Sequence, residues 1–296
     1  MFGKNEIVGR KYFQDETKLY ITSIFVTLQG EGPFSGLPAV FVRFAKCNLA
    51  CSFCDTWFDS GTWMSIEQVR GKINSAIHDH WAKQGREIPM FASGFSLPRQ
   101  MVLVITGGEP TLQPLLGQFC TEMLKDFADV QIESNGIQVP KDIPEDVTLV
   151  VSPKCSEKDG KPIGYLKPNA DMLARADYLK FVLSADPVSP YHLVPEWALQ
   201  WLDRDDDDSF RFLERQIYVS PMNIYNKEPE KGKLARMSNE ERDLDTRSTV
   251  DEVISFWEPG LLNMAANQAN HEHAGRYALN NGLRLSLQTH LLVSLA

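Results

Sequence analysis

The order of apolar and polar segments along the chain predicts an α/β fold with a mainly parallel sheet, arranged as a full or partial (β/α) barrel. Strand-like segments alternate with helix-like ones, and residues 101–105 are continuously apolar, as in strands covered on both faces. At least five strands end in polar or Gly-rich turns. Sites in β/α barrels lie at the carboxyl ends of the strands, so we expect the functional residues to meet there.

The first predicted elements are two strands and a helix. Residues 19–28 are rich in β-branched and aromatic side chains, and two glycines and a proline within residues 29–33 end this strand. Residues 38–44 form a second strand that runs directly into a cysteine-rich loop. Residues 64–80 have helical spacing, with Ser65 as the N-cap. One face of this helix carries Ile66, Val69, Ile73 and Ile77.

Further strands alternate with a second helix in the rest of the chain. The helix is predicted at residues 112–127. Three of the strands end in turns that contain Gly, Pro or Asn, which break regular structure. The predicted strands are residues 101–105, 130–133, 147–151, 178–183 and 216–219.

Charge and hydropathy exclude several classes of protein. Lys and Arg total 30 against 39 Asp and Glu, and the net charge of −9 disfavours direct binding of nucleic acid. No apolar run reaches the roughly 18 residues of a membrane span. Residues 1–6 lack the apolar stretch of a secretory signal. We therefore expect a cytoplasmic protein with reduced thiols and no membrane partner.

Three of the five cysteines form one short cluster. Cys47, Cys51 and Cys54 have the spacing C-x3-C-x2-C, whereas Cys120 lies in an apolar helical segment and Cys155 stands alone. Structural zinc usually takes four protein ligands. A four-iron, four-sulfur cluster has one ligand for each iron, so three cysteines leave one iron open for a ligand that is not protein. Buried cysteines without a role, or zinc with a distant fourth ligand, remain the alternatives.

A second motif, Gly107-Gly108-Glu109-Pro110, follows the apolar strand about 50 residues after the cysteine loop. Together the two motifs resemble the radical S-adenosylmethionine superfamily. Further segments are similar to the 7-carboxy-7-deazaguanine synthase family and run in order through the whole chain, which predicts one domain, residues 1–296, with insertions near residues 60–100 and 195–250. These segments are Thr27-Leu28-Gln29-Gly30-Glu31-Gly32, Cys54-Asp55-Thr56, Ile132-Glu133-Ser134-Asn135-Gly136, Val151-Ser152-Pro153-Lys154 and Arg284-Leu285-Ser286-Leu287-Gln288-Thr289-His290.

The resemblance implies a carbon–nitrogen lyase. Members of this family convert 6-carboxy-5,6,7,8-tetrahydropterin to 7-carboxy-7-deazaguanine with loss of ammonia, on the way to nucleosides such as queuosine. The implied cofactors are a [4Fe-4S] cluster, S-adenosylmethionine and Mg²⁺. The reduced cluster cleaves S-adenosylmethionine, the resulting radical takes a hydrogen from the substrate, and the cofactor is regenerated after the ring contracts. The implied partners are the small pterin substrate, a reductant protein such as a flavodoxin, and a second copy of the chain in a homodimer.

The resemblance also assigns residues by motif position. The implied cluster ligands are Cys47, Cys51 and Cys54, and the implied magnesium ligand is Thr56. S-adenosylmethionine is assigned to Phe53, Asp55, Gly108, Glu109, Ser134, Ser152, Pro153, Lys154, Ser220 and Asn223. Substrate is assigned to Leu28, Gln29, Gly30, Glu31, Arg43, Thr106, Gln288, His290 and Ala296. Ser220 stands where the family pattern has Gln before Pro.

Other interpretations stay open at the level of sequence. From the residues alone, Arg43 fits a strand-end salt bridge as well as a substrate contact, and Thr56 fits a simple turn hydroxyl. A different radical S-adenosylmethionine enzyme, such as a glycyl-radical activase or a small-molecule mutase, would share the cluster without needing Gln29, Arg43 and Thr56 together. An iron–sulfur electron-transfer protein would need four cysteine ligands, whereas the cluster here has three.

Overall fold

A mainly parallel sheet forms the centre of the computed structural model, which describes residues 6–13, 15–56, 58–83, 85, 101–202, 215–224 and 263–289. Nine strands in these ranges form this sheet, and two more form a separate hairpin. The strands are β1 (Leu19–Leu28), β2 (Pro38–Phe44), β3 (Thr62–Met64), β4 (Val102–Gly107), β5 (Asp129–Ser134), β6 (Thr148–Val151), β7 (Cys155–Lys158), β8 (Lys161–Tyr165), β9 (Tyr178–Leu183), β10 (Gln216–Pro221) and β11 (Arg284–Leu285). The helices are α1 (Ile66–Ala82), α2 (Leu116–Met123), α3 (Ala170–Arg175), α4 (Glu196–Leu202) and α5 (Met264–Asn281).

The strand order places the predicted turns along one edge of the sheet. The order is β11-β10-β9-β6-β5-β4-β2-β1-β3. Every neighbouring pair from β11 to β2 is parallel, whereas β1 pairs antiparallel with both β2 and β3. Among the strands that the structure describes, no pairing joins β11 to β3, so these strands do not close into a barrel. The predicted α/β fold with a mainly parallel sheet is confirmed.

Side chains alternate between the two faces of the sheet. The face that carries the apolar core residues is called the outer face here, and the opposite face, which carries polar side chains, is called the inner face. On β5, Ile132 belongs to the main apolar core, while Gln131 and Glu133 lie on the opposite face. On β9, Phe181 joins the same core and Lys180 lies on the inner face. The inner face is therefore the surface on which polar functional groups collect.

Helix α1 covers the outer face, and it forms with the predicted N-cap at Ser65 but spans Ile66–Ala82 rather than residues 64–80. The Ser65 hydroxyl accepts a hydrogen bond from Gln68 N at 3.2 Å, and the Gln68 side chain accepts one from Ser65 N at 2.9 Å. This reciprocal pair is a capping box, which satisfies two amide groups that the first turn leaves free. The predicted apolar face is buried in the main core through Ile66, Val69, Ile73 and Ile77.

The prediction of one helix at residues 112–127 is wrong in its extent. A 3-10 turn at Pro110–Leu112 comes first, and α2 spans only Leu116–Met123. Pro114 accounts for the break, because a proline ring disfavours helical backbone in the preceding residue. Gln113 accordingly has an extended ψ of 126°.

Several elements were not predicted. They include β3, the β7–β8 hairpin and helices α3 to α5. The hairpin turns at Asp159 and Gly160, whose φ angles of 53° and 72° are both positive, as tight hairpin turns require. Within the described part of the chain, no helix has the length and apolar character needed to cross a membrane. The single domain with two insertions stays a prediction, because parts of both insertions lie outside the described residues.

Candidate active site

The cysteine loop follows β2 directly and is anchored at several points. Val8 N donates a hydrogen bond to Cys47 O at 2.8 Å, which ties the N-terminal segment to the start of the loop. Farther along, Glu157 of the β7–β8 hairpin accepts hydrogen bonds from Ser52 N and Ser52 Oγ at 2.8 and 3.0 Å. The segment that carries the three cysteines is thus held from two sides.

The second motif, at the end of β4, packs on the backbone that leads into the loop. Gly108 N donates to Phe44 O at 2.8 Å, and Glu109 N donates to Lys46 O at 2.9 Å. A Cβ atom on Gly107 would lie 2.2 Å from Phe44 O, and one on Gly108 would lie 1.8 Å from Lys46 O. Gly107 also has a φ of 121°. Only glycine permits this close approach of two backbones, so both glycines are needed to hold the loop.

The Glu109 carboxylate is fully buried at 0% exposure and accepts four hydrogen bonds. The donors are Thr111 N, Thr111 Oγ1, Ser134 Oγ and Asn135 N, at 2.6 to 3.0 Å. Burial raises the pKa of Glu109, and the hydrogen bonds oppose that shift. In this arrangement Glu109 joins the turns that follow β4 and β5, and its contact with a cofactor amino group stays a prediction.

The three thiols of the loop have no disulfide partners. Burial raises the pKa of Cys47, Cys51 and Cys54, and that of Cys54 to about 12. Two N–H groups approach the sulfur of Cys47, Leu49 N at 3.4 Å and Asn135 Nδ2 at 3.9 Å. These donors favour the thiolate form that a metal requires.

The number and type of the cysteine ligands bear on which metal centre the loop could hold. No group of three or more His, Cys, Asp or Glu side chains in the described ranges is placed to hold one ion. A structural zinc ion needs four ligands around a single point. In a [4Fe-4S] cluster each cysteine binds its own iron, so the thiols lie around the cluster rather than at one point. The donor set therefore fits the cluster better than zinc.

Two predicted residues from distant parts of the chain meet next to the loop. Gln288 Nε2 donates a hydrogen bond to Asp55 Oδ2 at 3.2 Å, across 233 residues of sequence. Asn223 Nδ2 donates in turn to Gln288 Oε1. Phe53 packs edge-on against Tyr191, with 5.0 Å between the ring centroids. The structure thus joins the end of the cysteine loop to the turn after β10 and to the closing motif.

Arg43 and Thr56 are also in contact. Arg43 Nη1 donates to Thr56 Oγ1 at 2.9 Å, and Thr56 Oγ1 donates to Asp55 Oδ1 at 3.1 Å. Thr106 is the register partner of Arg43 on β4. Burial lowers the pKa of Arg43, while Asp55 and other acidic groups oppose that shift. These predicted residues therefore form one cluster at the carboxyl ends of β2 and β4.

The turn after β6 lies against the turn after β5. Ser152 N donates to Ser134 O at 2.7 Å. Lys154 Nζ donates to Ser152 O at 2.7 Å and to Ser152 Oγ at 2.6 Å. Burial lowers the pKa of Lys154, and the nearby Cys51 opposes that shift. Ser134, Ser152, Pro153 and Lys154, all predicted to contact the cofactor, are thus adjacent.

An ion-pair network occupies the inner face. Lys180 Nζ lies 3.0 Å from Glu31 Oε2 and 2.7 Å from Glu133 Oε2. Gln29 Nε2 donates to Glu133 Oε1 at 3.3 Å, and Ser220 Oγ donates to Glu31 Oε1 at 2.9 Å. Two predicted substrate residues, Gln29 and Glu31, are therefore together. Ser220, predicted to contact the cofactor, contacts Glu31.

Of the remaining predicted residues, two belong to β1 and the turn after it, and two lie outside the described residues. Leu28 ends β1, and Gly30 O accepts a hydrogen bond from Thr289 N at 3.4 Å, so the turn after β1 meets the closing motif. His290 and Ala296 lie outside the described residues.

Comparison with known proteins gives the family. No family model matches the chain. The chain is 33% identical to the 7-carboxy-7-deazaguanine synthase of Rickettsia prowazekii over 276 residues, which are 93% of this chain and 88% of that protein. It is 34% identical to the 7-carboxy-7-deazaguanine synthase of Rhodospirillum rubrum over 204 residues, 68% of this chain and 73% of that protein. The chain belongs to the 7-carboxy-7-deazaguanine synthase family.

Membership of the 7-carboxy-7-deazaguanine synthase family confirms the predicted family and the prediction of an enzyme. The fold agrees with that of a solved structure, the crystal structure of QueE from Escherichia coli, at a TM-score of 0.52 and 21% identity. The match covers 95% of this chain and 99% of that chain. An iron–sulfur electron-transfer protein is no longer a competing interpretation.

Three residues in contact with the candidate site were not predicted from the sequence. Glu133 lies in a family motif but had no predicted role, and neither Lys180 nor Glu157 was predicted to belong to the site. A charged residue inside an apolar strand, as at Glu133 and Lys180, is a signal for an inward-facing position. For Glu157 the signal is the Asp159-Gly160 pair, which marks the hairpin that carries it.

Proposed function

We propose that this chain catalyses the radical S-adenosylmethionine-dependent ring contraction of 6-carboxy-5,6,7,8-tetrahydropterin to 7-carboxy-7-deazaguanine with release of ammonia. The product would be a precursor of 7-deazapurine nucleosides such as queuosine. The observation that carries the proposal is the contact of Asp55, beside the last cysteine of the loop, with Gln288 of the closing motif. This contact supports a site shared by the cysteine loop and the closing motif.

The cysteine loop provides the ligands for the cluster in this proposal. Cys47, Cys51 and Cys54 would bind three irons, and the fourth would be open to S-adenosylmethionine. When bound there, the cluster and S-adenosylmethionine would supply the radical chemistry that removes hydrogen from the substrate. The carboxylate of Asp55, oriented by Gln288, would face the cationic cofactor. The remaining proposed cofactor residues are Phe53, Gly108, Glu109, Ser134, Ser152, Pro153, Lys154, Ser220 and Asn223.

The inner face of the sheet has groups that match the substrate. A pterin presents N–H donors on its aminopyrimidinone edge, and the carboxylates of Glu31 and Glu133 are acceptors. Arg43 is a planar cation that stacks on flat rings and pairs with carboxylates. Gln29, buried beside Glu133, has both a donor and an acceptor. The remaining proposed substrate residues are Leu28, Gly30, Thr106, Gln288, His290 and Ala296.

A magnesium ion is the third proposed cofactor. Thr56 Oγ1, which is hydrogen-bonded to Asp55 Oδ1 at 3.1 Å, is an oxygen ligand of the kind that suits Mg²⁺, which keeps several waters. Bound there, the ion would neutralise and orient the substrate carboxylate. Because Arg43 contacts the same hydroxyl, we expect the guanidinium to turn toward the substrate when the ion binds.

Four further proposals concern the partners and location of the enzyme. A reductant protein such as a flavodoxin would reduce the cluster, and the chain would form a homodimer, as the family resemblance implies. A cytoplasmic location is supported by the five free thiols, since reducing compartments keep cysteines unpaired. The recognised molecule would be the small pterin rather than a nucleic acid, in keeping with the charge of −9.

The proposal is tested on anaerobically reconstituted protein given reductant, S-adenosylmethionine, Mg²⁺ and 6-carboxy-5,6,7,8-tetrahydropterin. We expect mass spectrometry to show 7-carboxy-7-deazaguanine. Cleavage of S-adenosylmethionine without this product would retain the superfamily and reject the substrate. No cleavage with any reductant would reject both.

The division of the cysteines has its own control. We expect Cys51→Ala to lose iron and activity. Cys120→Ala should keep its iron, because Cys120 is a buried residue of α2 in the apolar core. Equal loss of iron in the two variants would contradict the assignment.

A further inference from the structure

Lys180 is a buried cation at the centre of the inner face. It lies on β9 between two core residues, Leu179 and Phe181, and is 5% exposed. Its ammonium group reaches two carboxylates from other elements, Glu31 at 3.0 Å and Glu133 at 2.7 Å. One cation thus connects β9, β5 and the turn after β1.

The other oxygen of each carboxylate is held by neutral donors. Glu31 Oε1 accepts from Ser220 Oγ at 2.9 Å. Glu133 Oε1 accepts from Gln29 Nε2 at 3.3 Å and from Gln131 Nε2 at 2.9 Å. These donors orient the carboxylates without adding charge, so the neutralising charge in direct contact with both comes from Lys180.

Other charged groups face the same interior. Lys154 is near both carboxylates and Lys180, but its ammonium group is bonded to Ser152. Arg43 is near Glu133, and its guanidinium is bonded to Thr56. Neither arrangement replaces the direct contacts of Lys180 with the two carboxylates.

The charge state of the network follows from these contacts. Burial alone would raise the pKa of Glu133, but Lys180 outweighs it and the pKa is lowered. Burial alone would lower the pKa of Lys180, but Glu133 and Glu31 outweigh it and the pKa is raised. At neutral pH the lysine is therefore protonated and Glu133 is ionised. Without the cation, two carboxylates that share a buried site cannot both ionise easily, and one takes up a proton.

We propose that Lys180 is a positioning residue that keeps Glu133 ionised and holds Glu31 and Glu133 aimed at the N–H edge of the pterin. The inference rests on the proposed function, since it assumes that these carboxylates accept hydrogen bonds from substrate. A protonated carboxyl group would present an O–H donor where the substrate also has donors. Loss of the Lys180 charge would therefore weaken substrate binding in a pH-dependent way.

The test uses reconstituted protein and 6-carboxypterin, a stable compound that keeps the aminopyrimidinone edge and the carboxylate. Its dissociation constant is measured against pH for wild type, Lys180→Gln and Lys180→Arg. Infrared difference spectra report whether a buried carboxyl group is protonated. Arg70→Met is the matched control, because Arg70 also bridges two carboxylates, Glu122 and Asp126, but between helices on the outer face.

We expect Lys180→Gln to bind 6-carboxypterin about tenfold or more weakly at neutral pH, the effect of losing a charged hydrogen bond. A carboxyl group whose pKa has risen is protonated below that pKa, so affinity should recover as pH increases. The infrared band of a protonated carboxyl should appear in this variant. Lys180→Arg and Arg70→Met should resemble wild type in both measurements.

Other results would overturn the inference. Wild-type affinity and pH profile in Lys180→Gln would show that the charge is not needed. If Lys180→Gln lost affinity equally at every pH and showed no infrared band of a protonated carboxyl group, Lys180 would have only a structural role. If Lys180→Gln does not fold, the test rests on Lys180→Arg, which keeps the positive charge. Loss of 6-carboxypterin binding in Lys180→Arg would then count against a role for the charge. Failure of wild type to bind 6-carboxypterin would reject the proposed substrate, while the infrared comparison would still test the ion pairs.

Discussion

Substitution of Gly108 by alanine tests the contact between the second motif and the cysteine loop. The added Cβ would lie 1.8 Å from Lys46 O and 2.4 Å from Lys46 C, whereas ordinary contact begins at 3.4 Å. The backbone of Lys46 therefore has to move by about 1.6 Å. This carbonyl accepts the hydrogen bond of Glu109 N, and the next residue is Cys47.

The cost of the Gly108 substitution follows from these distances. Overpacking of this kind costs about 1–3 kcal/mol, and loss of the hydrogen bond to Lys46 O adds about 1 kcal/mol. At about 2–4 °C per kcal/mol, we expect the melting temperature to fall by roughly 5–15 °C. Because the movement is passed to Cys47, we also expect less bound iron after reconstitution.

The assay for Gly108→Ala combines thermal unfolding with iron determination on anaerobically reconstituted protein. Gly71→Ala is the matched control, because Gly71 lies in α1 and a Cβ added there would have nothing within 4 Å. That change should raise stability by about 0.5–1 kcal/mol and leave iron unchanged. Wild-type melting temperature and iron content in Gly108→Ala would refute the reasoning.

Three further variants test other contacts. Glu109→Gln places an amide donor opposite Asn135 N. The free energy of unfolding, measured in denaturant, should therefore fall by about 1–3 kcal/mol. An unchanged midpoint of unfolding would contradict the role of the buried hydrogen bonds. Glu157→Ala removes the carboxylate that accepts both hydrogen bonds of Ser52. Because these bonds hold the cysteine loop, the variant should retain less iron after gel filtration. Full retention of iron would show that the hairpin does not support the loop. Ser65→Ala should lower stability by about 1 kcal/mol without changing iron content, and a loss of iron would contradict a purely capping role.

The parts of the fold that could be predicted from sequence are those with strong apolar patterns. Strands such as residues 101–105 are continuously apolar, and α1 has both an apolar face and a capping serine. The β7–β8 hairpin has no such pattern, because its two strands pair with no other strand that the structure describes and both carry charged residues. Helix α5 buries Asn267, Asn270, Ala274 and Ala278, small and polar residues that give no amphipathic signal.

The predictable part of the site is the part that motifs define. The glycines of Gly107-Gly108 and the cysteine spacing are local features, and the close backbone contacts show why the two glycines are required. The contact of Asp55 with Gln288 and the ion pairs of Lys180 depend on strand order, which places residues far apart in sequence on one face. Such pairs become visible only when the sheet is assembled.

The most direct test of the proposed reaction supplies S-adenosylmethionine at a lower concentration than the substrate. Reconstituted protein is incubated anaerobically with reductant, Mg²⁺ and 6-carboxy-5,6,7,8-tetrahydropterin, and product and ammonia are quantified. We predict 7-carboxy-7-deazaguanine and ammonia in equal amounts, exceeding the S-adenosylmethionine supplied, because the cofactor is regenerated. Consumption of S-adenosylmethionine to 5′-deoxyadenosine and methionine, with neither product nor ammonia formed, would contradict the account.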